Sequence, residues 1–99
     1  MEELITREFL DLLDVGGAGV YELRWIANSI GGTVISPGDP ILRAALLLVL
    51  ARSRGRLAWV RWPDDAFQRD EPRAVAELPD EVFADPEPVF LAVLPMAGQ

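Results

Sequence analysis

The chain contains no histidine, no cysteine and no lysine. Without thiols there is neither a disulfide nor a thiolate nucleophile, and the usual ligands of zinc, haem and copper sites are missing. A Ser-His-Asp triad cannot be assembled, and a lysine Schiff base cannot form. The side chain most often used for proton transfer near neutral pH is absent as well. Carboxylates, Tyr21 and backbone amides are what remain for catalysis, so no catalytic, metal-binding or cofactor-binding residue is assigned. The start Met1-Glu2-Glu3 lacks the basic segment and apolar run of a secretory leader, and a cytoplasmic location is expected.

Positive charge is scarce. Nine arginines face sixteen acidic residues over 99 positions, for a formal charge of −7. That balance opposes general affinity for nucleic acid or anionic lipid, because both are polyanions, and a basic or neutral partner is easier to accommodate. With 51% hydrophobic and 25% charged residues the chain is expected to fold as one domain around one core.

The apolar spacing sets the expected elements. Leu4, Ile5, Phe9, Leu12 and Leu13 recur at helical intervals, predicting an amphipathic helix over Glu2 to Asp14 that stops at Gly16-Gly17. Val20, Leu23, Ile26, Ala27 and Ile30 predict a second helix that ends at Gly31-Gly32. Thr33-Val34-Ile35 is β-branched throughout and reads as a short strand or extended segment. Asp39-Pro40 is the clearest start signal, an N-cap followed by proline at the first helical position. The helix it opens, Ile41 to Ala51, has Arg43 as its only polar residue. At about half the length needed to span a bilayer, it reads as a central core helix or an oligomer interface. Arg52, Arg54 and Arg56 complement the negative end of its dipole, with Gly55 as a plausible cap.

Leu57 to Trp62 and Val89 to Leu94 read as strands, the second apolar on both faces and so expected inside the sheet or under helices. Pro63 to Arg73 reads as an exposed loop, followed by a turn of helix at Ala74 to Leu78 and a short helix from Pro79 to about Ala84. The expected class is α+β, with a three-helix layer, the apolar helix at its centre, on a small two- or three-stranded sheet. Helices followed by two strands also match a winged-helix outline.

Gly16-Gly17-Ala18-Gly19 before a helix invites a phosphate cradle, but the run follows a helix and ends without Lys, Ser or Thr, so it reads as helix punctuation. Asp64, Asp65, Asp70 and Glu71 crowd one stretch at spacings unlike a calcium loop and read as solvated charge. Two surfaces carry a functional reading. Tyr21 and Trp25, one helical turn apart with Arg24 between them, lie outside the main apolar stripe of their helix. Either they anchor a partner, with Arg24 as an orienting charge, or the helix is covered on both sides by its own chain. Arg52, Arg54 and Arg56, with Trp59 or Trp62 for base stacking, would serve a nucleic acid. A groove-reading helix needs polar and basic side chains, however, and Ile41 to Ala51 offers Arg43 alone. The expectation is therefore an acidic interaction module that docks on another protein or on itself, one version being an inhibitor that masks a basic partner. Nucleic-acid binding is the alternative, and no membrane role is expected.

Overall fold

The computed structural model describes residues 1–61 and 67–95. Three helices, α1 (Glu2–Leu13), α2 (Tyr21–Gly31) and α3 (Pro40–Ser53), lie with four strands, β1 (Ala18–Gly19), β2 (Arg56–Arg61), β3 (Gln68–Asp70) and β4 (Val89–Leu94). All pairings are antiparallel in the order β1-β4-β2-β3. The α+β class is as expected, and the sheet is larger than the two or three strands the sequence suggests. The added strands are short ones, drawn from the glycine run and from the stretch read as an exposed loop. β4 lies between β1 and β2, which agrees with its apolar residues on both faces.

Helix α3 starts as its residues dictate: the Asp39 Oδ1 atom accepts the Ile41 N–H at 3.0 Å, with Pro40 next in the chain. At the other end Arg54, not Gly55, takes the left-handed cap conformation, with φ 55°. Gly55 is required for a different reason. A Cβ there would stand 2.8 Å from the Leu94 carbonyl oxygen, so only glycine lets the chain enter β2 this close to β4.

Helix α1 buries Ile5, Phe9 and Leu13 and leaves Leu4 exposed, so its apolar stripe is narrower than the spacing suggests. It ends at Leu13, ahead of the glycines. Thr6 is wholly buried, and its hydroxyl donates to the Glu2 carbonyl one turn back. In α2, Leu23 and Ala27 are buried while Ile30 is exposed.

Thr33 to Ile35 is not a strand. Side chains of α2 take up its backbone groups instead: Asn28 Oδ1 accepts the Ile35 N–H at 2.8 Å, and Arg24 Nε donates to the Ile35 carbonyl at 2.7 Å. No ladder is needed once both groups of Ile35 are satisfied locally.

The segment from Glu71 to Pro88 contains two 3₁₀ turns, Val75–Glu77 where the sequence predicts a turn of helix and Asp80–Phe83 where it predicts a short helix. Despite little regular structure it buries Val75, Leu78, Val82 and Phe83 in the main core. Arg43 ties it to α3, donating to the Val75 carbonyl at 2.7 Å and to Asp80 at 2.6 Å, with its guanidinium 5.4 Å above the Phe83 ring. Among the described residues no helix is long and apolar enough to cross a membrane.

Candidate docking surface

The register sorts the sheet into two unlike faces. Leu57, Leu91, Val93 and Ala18 point into the core shared with the helices. Cross-strand pairing of Ala58 with Ala92, Val60 with Phe90 and Arg56 with Leu94 puts these residues on the opposite face. None of Ala58, Val60, Phe90, Ala92 and Leu94 belongs to the helix-packed core. A mostly apolar strip thus lies on the side of the sheet turned away from the helical core, with Ala58 and Ala92 buried in it and Val60, Phe90 and Leu94 partly exposed.

Tyr21 links that strip to α2. The chain leaves β1 at Gly19 and enters α2 at Tyr21, whose ring folds back over the strand. A Cβ on Gly19 would lie 2.2 Å from the Tyr21 ring and 3.1 Å from the Phe90 ring, so glycine lets both aromatics settle there. Tyr21 meets Phe90 edge-on at 5.4 Å between ring centroids and meets Trp25 in the same manner at 4.8 Å. Such edge-to-face contacts suit the ring quadrupoles. Three aromatics therefore form a continuous ridge from the helix surface onto the sheet. Trp25 at its end is 48% exposed, and its indole N–H donates to Asp85 at 3.1 Å. Burial, with the Glu22 carboxylate beside it, pushes the Tyr21 hydroxyl above the usual phenol range.

Grooves flank the ridge, and Tyr21 and Phe90 contribute to the walls of both. One, of about 380 Å³, lies over Gly17, Gly19, Val60, Ala92 and Leu94. The other, of about 300 Å³, lies between the ridge and the second 3₁₀ turn, over Trp59, Val82, Val89 and Leu91. Trp59 is fixed by its indole N–H, which donates to Glu71 at 3.2 Å. Arg73 also binds Glu71, at 2.6 Å through its guanidinium and 2.9 Å through its backbone N–H. Those contacts, led by the guanidinium, hold the Glu71 carboxyl down at about 2.

The partner residues read from the sequence are only in part brought together as a surface. Tyr21 and Trp25 stand in the ridge. Arg24 has a side chain only 15% exposed and spends its charge within the chain, on the Ile35 carbonyl and at 3.8 Å from Asp85. Phe90 was missed by reading α2 alone, although the second apolar face of β4 is the signal that leads to it. Comparison with known protein families, with characterised proteins and with solved structures finds no match for this chain.

The arginine cluster is dispersed. Arg52 reaches across to α1 and holds both oxygens of Glu3, at 2.6 and 2.9 Å, which lowers the Glu3 carboxyl below its usual range. Arg56 bonds to Gln68 at 3.0 Å and lies 3.8 Å from Asp70. Arg54 forms the left-handed cap. The glycine run offers no open cradle either, because the Gly19 N–H already donates to Glu22 Oε2 at 2.9 Å. In the acidic stretch, Asp70 and Glu71 face Arg56 and Arg73, while Asp64 and Asp65 lie outside the described residues, as does Trp62.

Proposed function

We propose that this protein works in the cytoplasm as a small acidic docking module, pairing with itself or with another protein through the Trp25–Tyr21–Phe90 ridge and the apolar strip beside it. The single observation that carries this reading is Trp25, a large aromatic left 48% exposed at the end of a packed row of rings. Tryptophan and tyrosine are the residues that most often anchor interfaces, since they bury large area at low entropy cost and keep a polar handle. Arg24 holds the α2–α3 connection in place behind the ridge, so orientation of a partner falls to the exposed acids around it. A protein of this kind acts by binding, and no catalytic step is assigned to it.

The winged-helix reading has one observation in its favour: α2 and α3 run in order into the antiparallel strands β2 and β4. As a nucleic-acid reader such a fold would present α3 to the groove. Of the two charges inside that helix, Arg43 is committed to Val75 and Asp80 and Arg52 in the last turn is held by Glu3, while the exposed positions Leu47 and Ala51 are apolar. Of the clustered Arg52, Arg54 and Arg56, the first and last are paired with acids of the chain itself. Association of proteins is the better use of such a surface.

The test replaces Trp25 with alanine. The ring is half-buried and meets Tyr21 edge-on, so thermal stability should fall by about 1–2 kcal/mol with the fold intact. Light scattering across a concentration series, together with cross-linking in the native extract, should show a complex formed by the wild type and lost in Trp25→Ala. A strict monomer with no Trp25-dependent complex would overturn the reading.

A further inference from the structure

Of the two grooves, the one beside the second 3₁₀ turn has a sharply defined chemistry. Its floor is apolar and aromatic, made by Trp59, Val82, Val89 and Leu91 below the ridge. Its polar side chains, apart from Tyr21 and the indole of Trp59, are Glu81, Asp85 and Glu87, and no cation is among its lining residues. All three acids are exposed at residue level. Arg24, behind Asp85 at 3.8 Å, is the nearest recorded counter-charge and offsets one carboxylate at most. An apolar trough under an acidic rim favours an apolar segment that also carries positive charge.

The sheet suggests the shape of that segment. β1 covers β4 only at Ala92 and Val93, and the chain then turns away after the Val20 N–H bonds the Leu91 carbonyl at 2.8 Å. Because hydrogen-bonding direction alternates along an antiparallel strand, the backbone groups of Val89 face the same side as those of Leu91, beyond the end of β1. Val89 lines this groove. An extended backbone can reach it there, in the manner of strand addition.

We infer that the groove between Tyr21 and the Asp80–Phe83 turn receives an extended segment of a different protein, in which an arginine or lysine stands next to apolar residues. This inference rests on the docking reading and gives it a partner class. A polyanion is repelled by the rim. A second copy is disfavoured because both copies carry −7, and because five of the nine arginines, Arg24, Arg43, Arg52, Arg56 and Arg73, already face carboxylates of their own chain.

The experiment pans the immobilised full chain against a random linear decapeptide library displayed on phage. The most enriched peptide is then synthesised, with a version carrying Glu for each Arg or Lys, and both are titrated by fluorescence anisotropy. Enriched peptides should pair basic with apolar residues, and the Glu version should bind at least tenfold more weakly. Glu81→Gln with Glu87→Gln, two exposed changes that leave the melting temperature in place, should weaken the basic peptide by about fivefold. Amide shifts on binding should centre on Val82 to Leu91. No enrichment, enrichment of acidic or uncharged peptides, or shifts confined to the opposite groove would overturn the inference. If the double variant melts early, the Glu-substituted peptide alone decides. The docking reading is judged separately by the Trp25→Ala complex, which survives if that complex forms while the basic peptides fail.

Discussion

Helix α3 and the segment from Glu71 to Pro88 are opposites in sequence and near equals in the core. The helix is apolar almost throughout, yet Leu47 is 55% exposed and only Leu42, Ala45, Leu46 and Val49 are buried. The segment is rich in proline and acid, yet it buries Val75, Leu78, Val82 and Phe83, the last completely. Apolar density therefore says little about which residues end up inside. A regular helix has more than one side, and a globular core covers only part of its circumference. An irregular strap can place a few apolar residues inward and leave the rest to water. Arg43 joins the two regions, so the charge in the middle of the helix serves the strap and not a ligand.

Phe83→Ala should be the strongest way to separate the regions. Removing a fully buried ring from an irregular strap is expected to cost about 3–5 kcal/mol in urea unfolding, as in a helix-borne core. A loss under about 1 kcal/mol would show that the strap merely lies on the surface and would break the comparison.

Glu71→Gln sharpens it at the strap's beginning. Losing the charged partner of Arg73 should cost about 1–3 kcal/mol at neutral pH. The folded carboxyl sits at about 2 against an ordinary 4.5, so its contribution is complete above about pH 4.5 and disappears as pH falls toward 2. Unfolding measured through that window should show the wild type losing stability more steeply than Glu71→Gln. Equal slopes would mean that the Arg73 contact does not hold in solution.

The smallest effect belongs to the most apolar element. Leu47→Gln, on the exposed side of α3, should shift stability by no more than about 0.5 kcal/mol. A larger loss would mean that this side of the helix is covered, and a change in apparent mass by light scattering would make it part of an interface.

Local chemistry carried much of the fold. Asp39-Pro40 announced α3, Gly32 ended α2, and the apolar run from Val89 to Leu94 announced an interior strand. Features that depend on distant partners did not show. β1 is two residues of small side chains, with no periodicity to detect, and exists because β4 offers it a ladder. β3 is wholly polar and exposed, and is a strand only because β2 pairs with it. Arg24 looked like a free charge among aromatics because its acceptor, the Ile35 carbonyl, belongs to a segment whose path no spacing reveals. In the candidate surface, Tyr21 and Trp25 were legible as aromatics off the main stripe, whereas Phe90 joined them only through the sheet register.

By itself, the amino-acid sequence determined which chemistry is closed to this protein and roughly where its long elements lie. Side-chain inventory, caps and local periodicity act within a few residues and need no tertiary partner to be read. Folding in three dimensions decided which apolar residues face water, which arginines are spent on carboxylates, and that three rings from two elements form one ridge beside an acid-rimmed groove. Those outcomes depend on contacts between residues far apart in the chain, and such contacts exist only once the chain has closed on itself.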